Sequence, residues 1–372
     1  MEIFAKWLWL AGGGERIVAT LTEALLRAQH EVVLDTPVPA DLSIFERNFG
    51  KNISAAALHV NSPLIRQVPR IAGLERYFEL ANEFAVRRSV GGDVFVDLSP
   101  SSCLGATYMR LPDIAYWSSP PIDFRSYQRQ LLKDNPHRIA FTPYVELLSK
   151  LLERMAEIPL NFTISRYSER ATRERYAGHF RAPMRLLYPP VNIKEWKPPG
   201  NWTKRRKVAS QARFSSWKRH DLQLKIVRND IPLTMIGAAR ADEEKETVTD
   251  LQGRKTENVN ILLNQPLEVR KQELWSSKVF LHTADSEPFG MAIVEAIAAG
   301  CVPVIRRCGA ATEVVPVHEL TFTTTSEARR ILERALKGDF DHYLPQLNEH
   351  IRKFDESTFT RIFLSAIEHT PR

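Results

Sequence analysis

The feature that most restricts how this chain can fold is an alternation. Short apolar runs are separated again and again by stretches with helical periodicity. The chain opens with an apolar run over residues 2–11, then Gly12-Gly13-Gly14, then a predicted helix over 14–29. Ile17, Leu21, Ala24, Leu25 and Ala28 fall on one face of that helix. Glu31–Leu34 follows as a second strand, and Val94–Leu98, Ile114–Tyr116 and Ile139–Phe141 continue the series. A second series comprises Val208–Arg213, Leu233–Gly237, Val259–Leu263, Val279–His282 and Val302–Ile305. Strands that alternate with helices imply parallel sheets covered on both faces, so the expected class is α/β with two doubly wound, Rossmann-like sheets.

A length of 372 residues suits two domains. The best boundary is Tyr188-Pro189-Pro190-Val191, reinforced by Lys197-Pro198-Pro199-Gly200. The expected units are 1–187, 188–341 and a helical segment 342–372 long enough to reach back to the first domain. With 44% hydrophobic and 26% charged residues, the composition is that of a globular protein. Cys103, Cys301 and Cys308 form neither a disulfide framework nor a zinc spacing, which points to a reducing compartment and a cytoplasmic location. No run reaches the ~18 apolar residues of a membrane span. Lys6 interrupts Met1–Ala11, which reads as a buried strand with Trp7 and Trp9 in the core rather than as a signal peptide. The net charge of +7 divides into +3 up to residue 187 and +4 beyond it. A nucleic-acid footprint is a localised patch, so the even split argues against that partner.

The segment from Asp285 to Gly300 carries the most chemistry. An apolar strand runs into a polar loop, then into a helix expected to begin at Pro288 and to be closed by Gly300. Ligands of open α/β sheets bind at such carboxyl ends of strands. Glu295 lies among Ala, Ile and Val, where a carboxylate is costly unless paired or bonded to hydroxyls. Glu287 precedes it by eight residues, roughly 12 Å of helix. Two readings of Glu295 stay open: one end of an extended ligand site, or an ion pair with a buried arginine. Free amides near Phe289, Gly290 and Met291 suit a phosphate. Arg213, ending a strand, and Lys218, opening the next helix, would offer two cations to a diphosphate leaving group. Gly12-Gly13-Gly14 reads as a turn that lets backbone approach a phosphate or sugar. Asp35, ending the second strand, imitates the ribose-binding acid of dinucleotide folds, but the glycines do not follow their pattern.

Together the Gly-Gly-Gly-Glu-Arg opening, Tyr188-Pro189-Pro190-Val191, Arg213 with Lys218, and Glu287-Pro288-Phe289-Gly290 with Glu295 resemble glycosyltransferase family 4. These are retaining enzymes of GT-B fold that use nucleotide sugars, and the matching motifs span residues 11–313. The region around Leu281-His282-Thr283 is similar to mannosyltransferases acting on lipid-linked oligosaccharides. The resemblance implies that Arg213 and Lys218 hold the donor diphosphate and that Glu287 contacts the transferred hexose. It also implies that the backbone of Phe289, Gly290 and Met291 lies near sugar and phosphates, and that Glu295 accepts from the ribose hydroxyls. Gly13 and Gly14 would meet the phosphates from the other domain. Donors of this kind are UDP- or GDP-linked, the acceptor is an unspecified glycan or lipid-linked sugar, and no metal or other cofactor is expected.

Many relatives carry a histidine near the donor sugar where this chain has Ser118. A hydroxyl can hydrogen-bond a sugar but is a poor general base near neutral pH. That departure motivates the alternative of a non-catalytic sugar-nucleotide or glycan-binding protein with the same fold. Arg166, Arg170 and Arg173 share one face of a predicted helix, near Arg175, Arg181 and Arg185. The face is read as solvated, with peripheral contact to an anionic membrane as the functional alternative.

Overall fold

The apolar runs build two separate parallel sheets in the computed structural model, which describes residues 1–5, 8, 12–37, 39–60, 89–99, 108–117, 154–155, 157–175, 183–200, 205–239 and 242–369. The first sheet contains β1 (Glu2–Phe4), β2 (Val33–Thr36), β3 (Ala57–Val60), β4 (Phe95–Asp97), β5 (Ile114–Trp117), β6 (Leu160–Thr163) and β7 (Met184–Leu186). The second contains β8 (Arg205–Gln211), β9 (Leu233–Gly237), β10 (Val259–Leu263), β11 (Ser277–His282), β12 (Val302–Arg306) and β13 (Thr321–Phe322). Their orders are β3-β2-β1-β4-β5-β6-β7 and β10-β9-β8-β11-β12-β13. Each sheet therefore reverses its winding beside its own first strand. That reversal opens a crevice at the carboxyl edge between β1 and β4 and between β8 and β11.

The described helices are α1 (Gly13–Arg27), α2 (Ser43–Phe49), α3 (Arg166–Arg175), α4 (Ile193–Trp196), α5 (His220–Val227) and α6 (Asp242–Arg254). They continue with α7 (Leu267–Ser276), α8 (Met291–Ala298), α9 (Ala311–Val314), α10 (Thr325–Lys337), α11 (Leu344–Ile351) and α12 (Glu356–Glu368). On α1, Ile17, Leu21 and Leu25 are buried, and so are Val18, Ala19 and Thr20 on the other flank. The helix is thus enclosed more fully than an amphipathic surface helix.

α12 packs against the first domain. The ring of Phe363 sits 5.5 Å from that of Phe162, and Phe359 sits 5.7 Å from Tyr116 in an edge-on contact. Asp355 caps α12 by accepting from the Ser357 amide at 3.0 Å. It also bridges to Val191 in the linker, so the chain's end and the interdomain connection share backbone contacts.

Several elements differ from the sequence expectation. β1 ends at Phe4 rather than running to residue 11, and Trp7 and Trp9 lie outside the described residues. Ile139–Phe141 also lies outside them. β3, β6, β7 and β13 lie outside the runs read as strands from the sequence. In β6, Leu-Asn-Phe-Thr, the buried Asn161 accepts from the Trp117 indole at 2.9 Å and donates to the Ile158 carbonyl at 2.9 Å. Its polar side chain is fully satisfied inside the core, which is why a hydrophobic pattern does not reveal the strand. The exposed Arg185 interrupts β7, and β13 is only two residues long.

Candidate active site

β11 delivers His282 to the carboxyl edge of the second sheet, and the loop behind it leads into α8. α8 begins at Met291, not at Pro288. The reason is Gly290, whose φ of +106° is left-handed and cannot continue a right-handed helix upstream. Glu287 therefore stands on a turn ahead of the helix. At the other end, Gly300 (φ +77°) closes α8 by donating to the Ile297 carbonyl at 2.8 Å.

Glu287 is buried beneath two basic side chains. Lys218 Nζ donates to its Oε2 at 2.6 Å, and His282 Nε2 lies 2.9 Å from the same oxygen. Burial pushes the Glu287 carboxyl up, but the Lys218 charge and the His282 hydrogen bond outweigh it and hold the group at about 2. The carboxylate is thus ionised at neutral pH. The nearby Cys308 thiol is pushed up to about 12, first by burial and then by the Glu287 charge. Backbone fixes the Glu287 turn, whose carbonyl accepts from the Ala310 amide at 2.7 Å. A Cβ on Gly309 (φ +51°) would lie 2.3 Å from that carbonyl oxygen, so only glycine fits there.

Lys218 ends a short 3-10 turn, Ser216–Lys218, and its ammonium stands 4.0 Å from the centre of the Trp217 ring. Thr283 Oγ1 donates to the Lys218 carbonyl at 3.0 Å, which locks this turn to the strand carrying His282. Arg213 follows β8. Its guanidinium is partly exposed and lies 3.6 Å from Glu244. His220 Nε2 donates to the Arg213 carbonyl at 3.1 Å while its ring packs on Phe214. Burial pushes the His220 imidazole down to about 4, so it is neutral at pH 7 and serves as a fixed backbone prop.

Glu295, on α8, is in direct contact with the first domain. Arg16 Nη1 donates to its Oε1 and Gln211 Nε2 to its Oε2. The arginine pairing left open by the sequence is therefore present, and its partner comes from the opposite domain. Arg16 also lies 5.5 Å from the Phe49 ring centre. Gly13 and Gly14 are the first residues of α1 rather than a turn before it. Glu15 reaches back to accept from the Gly12 amide at 2.8 Å, and the helical ladder begins with the Arg16 amide donating to the Gly12 carbonyl at 3.2 Å, so the Gly13 and Gly14 amides precede it. A Cβ on Gly13 would lie 3.2 Å from Met291 Sδ, so the amino ends of α1 and α8 meet across the gap.

These groups enclose one open cleft of about 300 Å³ between the two sheets. Gly13, Gly14, Arg213, Lys218, Glu287, Phe289, Gly290, Met291 and Glu295 all line it. Phe289 turns its ring away, into a cluster with Tyr188 at 5.6 Å and Phe354 at 5.0 Å. Ser118 lies outside the described residues. Arg16, Gln211, Arg270 and His282 also line the cleft and had no role assigned from sequence. Only Arg16 and His282 carried a signal, since each sits inside a motif already noted. Asp35 does not face the cleft. It is buried against His59 at 3.0 Å and the Tyr108 hydroxyl, which explains why its likeness to a ribose-binding acid leads nowhere. Arg166, Arg170 and Arg173 are exposed on α3, with Arg173 paired to Glu169 at 3.0 Å. Among the described residues no group of three or more His, Cys, Asp or Glu could hold a metal ion, and no helix is long and apolar enough to cross a membrane.

Residues 192–338, which carry most of this cleft, match the family described as Glycosyl transferases group 1. Over 210 residues, 49% of this chain, the protein is 25% identical to a GDP-Man:Man(3)GlcNAc(2)-PP-Dol alpha-1,2-mannosyltransferase of Dictyostelium discoideum. It is 28% identical over 153 residues, 36% of this chain, to the enzyme of the same name from Xenopus laevis. The matches span 42% and 32% of those two relatives, less than half of either. Among solved structures, Anabaena Alr3699/HepE in complex with UDP and glucose superposes with a TM-score of 0.69 at 14% identity, covering 99% of both chains. Sucrose-phosphate synthase from Thermosynechococcus elongatus superposes with a TM-score of 0.72 at 15% identity, covering 99% of this chain and 98% of that one. At such identities the likeness concerns the fold, and the fold is GT-B: two Rossmann-like domains facing across a cleft.

Proposed function

We propose that this chain is a glycosyltransferase of family 4 that moves a hexose from a nucleoside diphosphate sugar to a glycan acceptor with retention of anomeric configuration. The observation that carries the reading is convergence. Lys218, Arg213 and the amino ends of α1 and α8 bring positive charge and free amides to one cleft beside the ionised Glu287. GDP-mannose is the first donor to test and a lipid-linked glycan the first acceptor, because the curated relatives bear those words in their names.

In this mechanism Lys218 and Arg213 bind the diphosphate, and their charge stabilises the oxygen that leaves with it. They supply the cationic charge that the reaction requires, so the proposed reaction is metal-independent. The bond between the sugar C1 and the β-phosphate oxygen breaks. The acceptor oxygen bonds C1 on the same face, and its proton passes to the departing phosphate oxygen. Glu287 receives hydroxyls of the transferred hexose, and Glu295 those of the ribose. Within this scheme residues 1–187 bind the acceptor, 188–341 the donor, and 342–372 tie the second domain to the first. The same scheme assigns work at the cytoplasmic face of a membrane, with Arg166, Arg170 and Arg173 toward anionic headgroups.

Donor turnover tests the reading. Incubation with a panel of UDP- and GDP-linked sugars should release nucleoside diphosphate and, with acceptor present, a glycosylated product. A protein that binds donor tightly yet releases no nucleoside diphosphate is the non-catalytic alternative, and this proposal would then be withdrawn. Gly309→Ala should displace the Glu287 turn and lower kcat/KM by about tenfold or more, since small misplacements of reacting groups are expensive. Unchanged kinetics in that variant would show that the turn's position is irrelevant.

A further inference from the structure

The carboxylate assigned above to the donor ribose is already covered by protein. Glu295 Oε1 receives Arg16 Nη1 and Oε2 receives Gln211 Nε2, and the Glu295 side chain is only 3% exposed. An ionised carboxylate has lone pairs to spare. Here one oxygen is taken by Arg16 and the other by Gln211 at the wall of the cleft, so a ribose gains the carboxylate most directly if one covering side chain withdraws. Gln211 ends β8 in the same domain as Glu295, so its hydrogen bond does not depend on how the two domains sit. Arg16 sits on α1, across the cleft, on a long side chain.

We infer that Arg16 is a cross-cleft latch: in the donor-free protein it occupies the ribose position on Glu295, and nucleotide binding displaces it. The inference rests on the ribose role of Glu295.

A second carboxylate lies within the electrostatic reach of Arg16. Glu195, half-buried at the end of α4, feels the Arg16 charge and forms no ion pair among the described residues. Its carboxyl is raised, chiefly by burial, and Arg16 is among the cations that oppose the rise. Arg270, also beside the cleft, is pushed down to about 10, first by burial and then by the like charge of Arg16. That repulsion is relieved when Arg16 swings away. Arg270 is attracted by Glu295 in turn, so the carboxylate keeps a cation nearby after Arg16 leaves. A guanidinium held across the cleft by the carboxylate that a ligand also needs is an element whose balance that ligand can shift.

The test titrates GDP and UDP into the full chain and follows whichever the wild type takes. If Arg16 leaves Glu295 about one time in ten, Arg16→Gln should bind the nucleotide about tenfold more tightly, because the competitor is gone. Arg16→Lys, which keeps the charge with a single donor, should fall between Arg16→Gln and wild type and guards against a folding defect. Glu295→Ala should bind more weakly. Arg16→Gln binding no more tightly than wild type, while Glu295→Ala is weakened, overturns the latch and leaves the ribose assignment standing. Glu295→Ala binding as well as wild type removes the ribose assignment, and the latch with it. Small-angle scattering of donor-free protein gives a second readout. Arg16→Gln should show a larger radius of gyration than wild type, and an equal radius counts against a latch that holds the domains together.

Discussion

Lys218→Ala is expected to lower kcat/KM by roughly 10²–10³, the usual consequence of removing one preorganised charge donor from a developing anion. The ammonium is largely buried and sits 2.6 Å from Glu287, so its charge acts in a medium that screens it weakly. Its loss also changes how stability depends on pH. Glu287 is held at about 2 against a reference of 4.5, so the pair contributes stability that is fully present above pH 4.5 and is lost as pH falls toward 2. Urea unfolding of wild type and variant should therefore differ most at neutral pH and converge as pH falls through that window. A gap that widens on acidification would mean that Lys218 does not hold the carboxylate. The measurement stands apart from turnover, so structural and catalytic roles can be separated.

Glu287→Gln should reduce kcat by about 10² while leaving KM near the wild-type value, the pattern of an interaction made chiefly in the transition state. The amide keeps the shape and can still accept from Lys218 and His282, so the turn should survive. What disappears is a fixed negative charge beside the transferred hexose. A rise in KM with kcat intact would instead mark Glu287 as a uniform binding group. The same substitution should abolish the stability loss between pH 4.5 and 2 attributed to this carboxylate.

Much of this arrangement was legible in the residues because it rests on local patterns. Leu233–Gly237 and Val259–Leu263 are strands at the limits their mainly apolar runs imply; the first is buried in the sheet interior and the second is its half-exposed edge. Glu295 stood out because nothing around it could satisfy a charge. The parts that stayed hidden depend on tertiary contacts. Nothing near β6 indicates that Trp117 and Ile158 will satisfy Asn161. α8 starts three residues beyond Pro288: proline suits a first helical turn, but the left-handed Gly290 stops the helix from reaching back to it. Arg16 was visible beside the glycines, yet its partner stands 279 residues away in sequence and no local pattern links the two.

One cleft, carrying Lys218 and Glu295, should bind a nucleotide sugar. Calorimetric titration of the full chain with GDP-mannose and a UDP-linked hexose tests it most directly. One-site binding of at least one donor by the wild type is expected, weakened by about tenfold or more in both Lys218→Ala and Glu295→Ala. Equal affinity in all three proteins would contradict it.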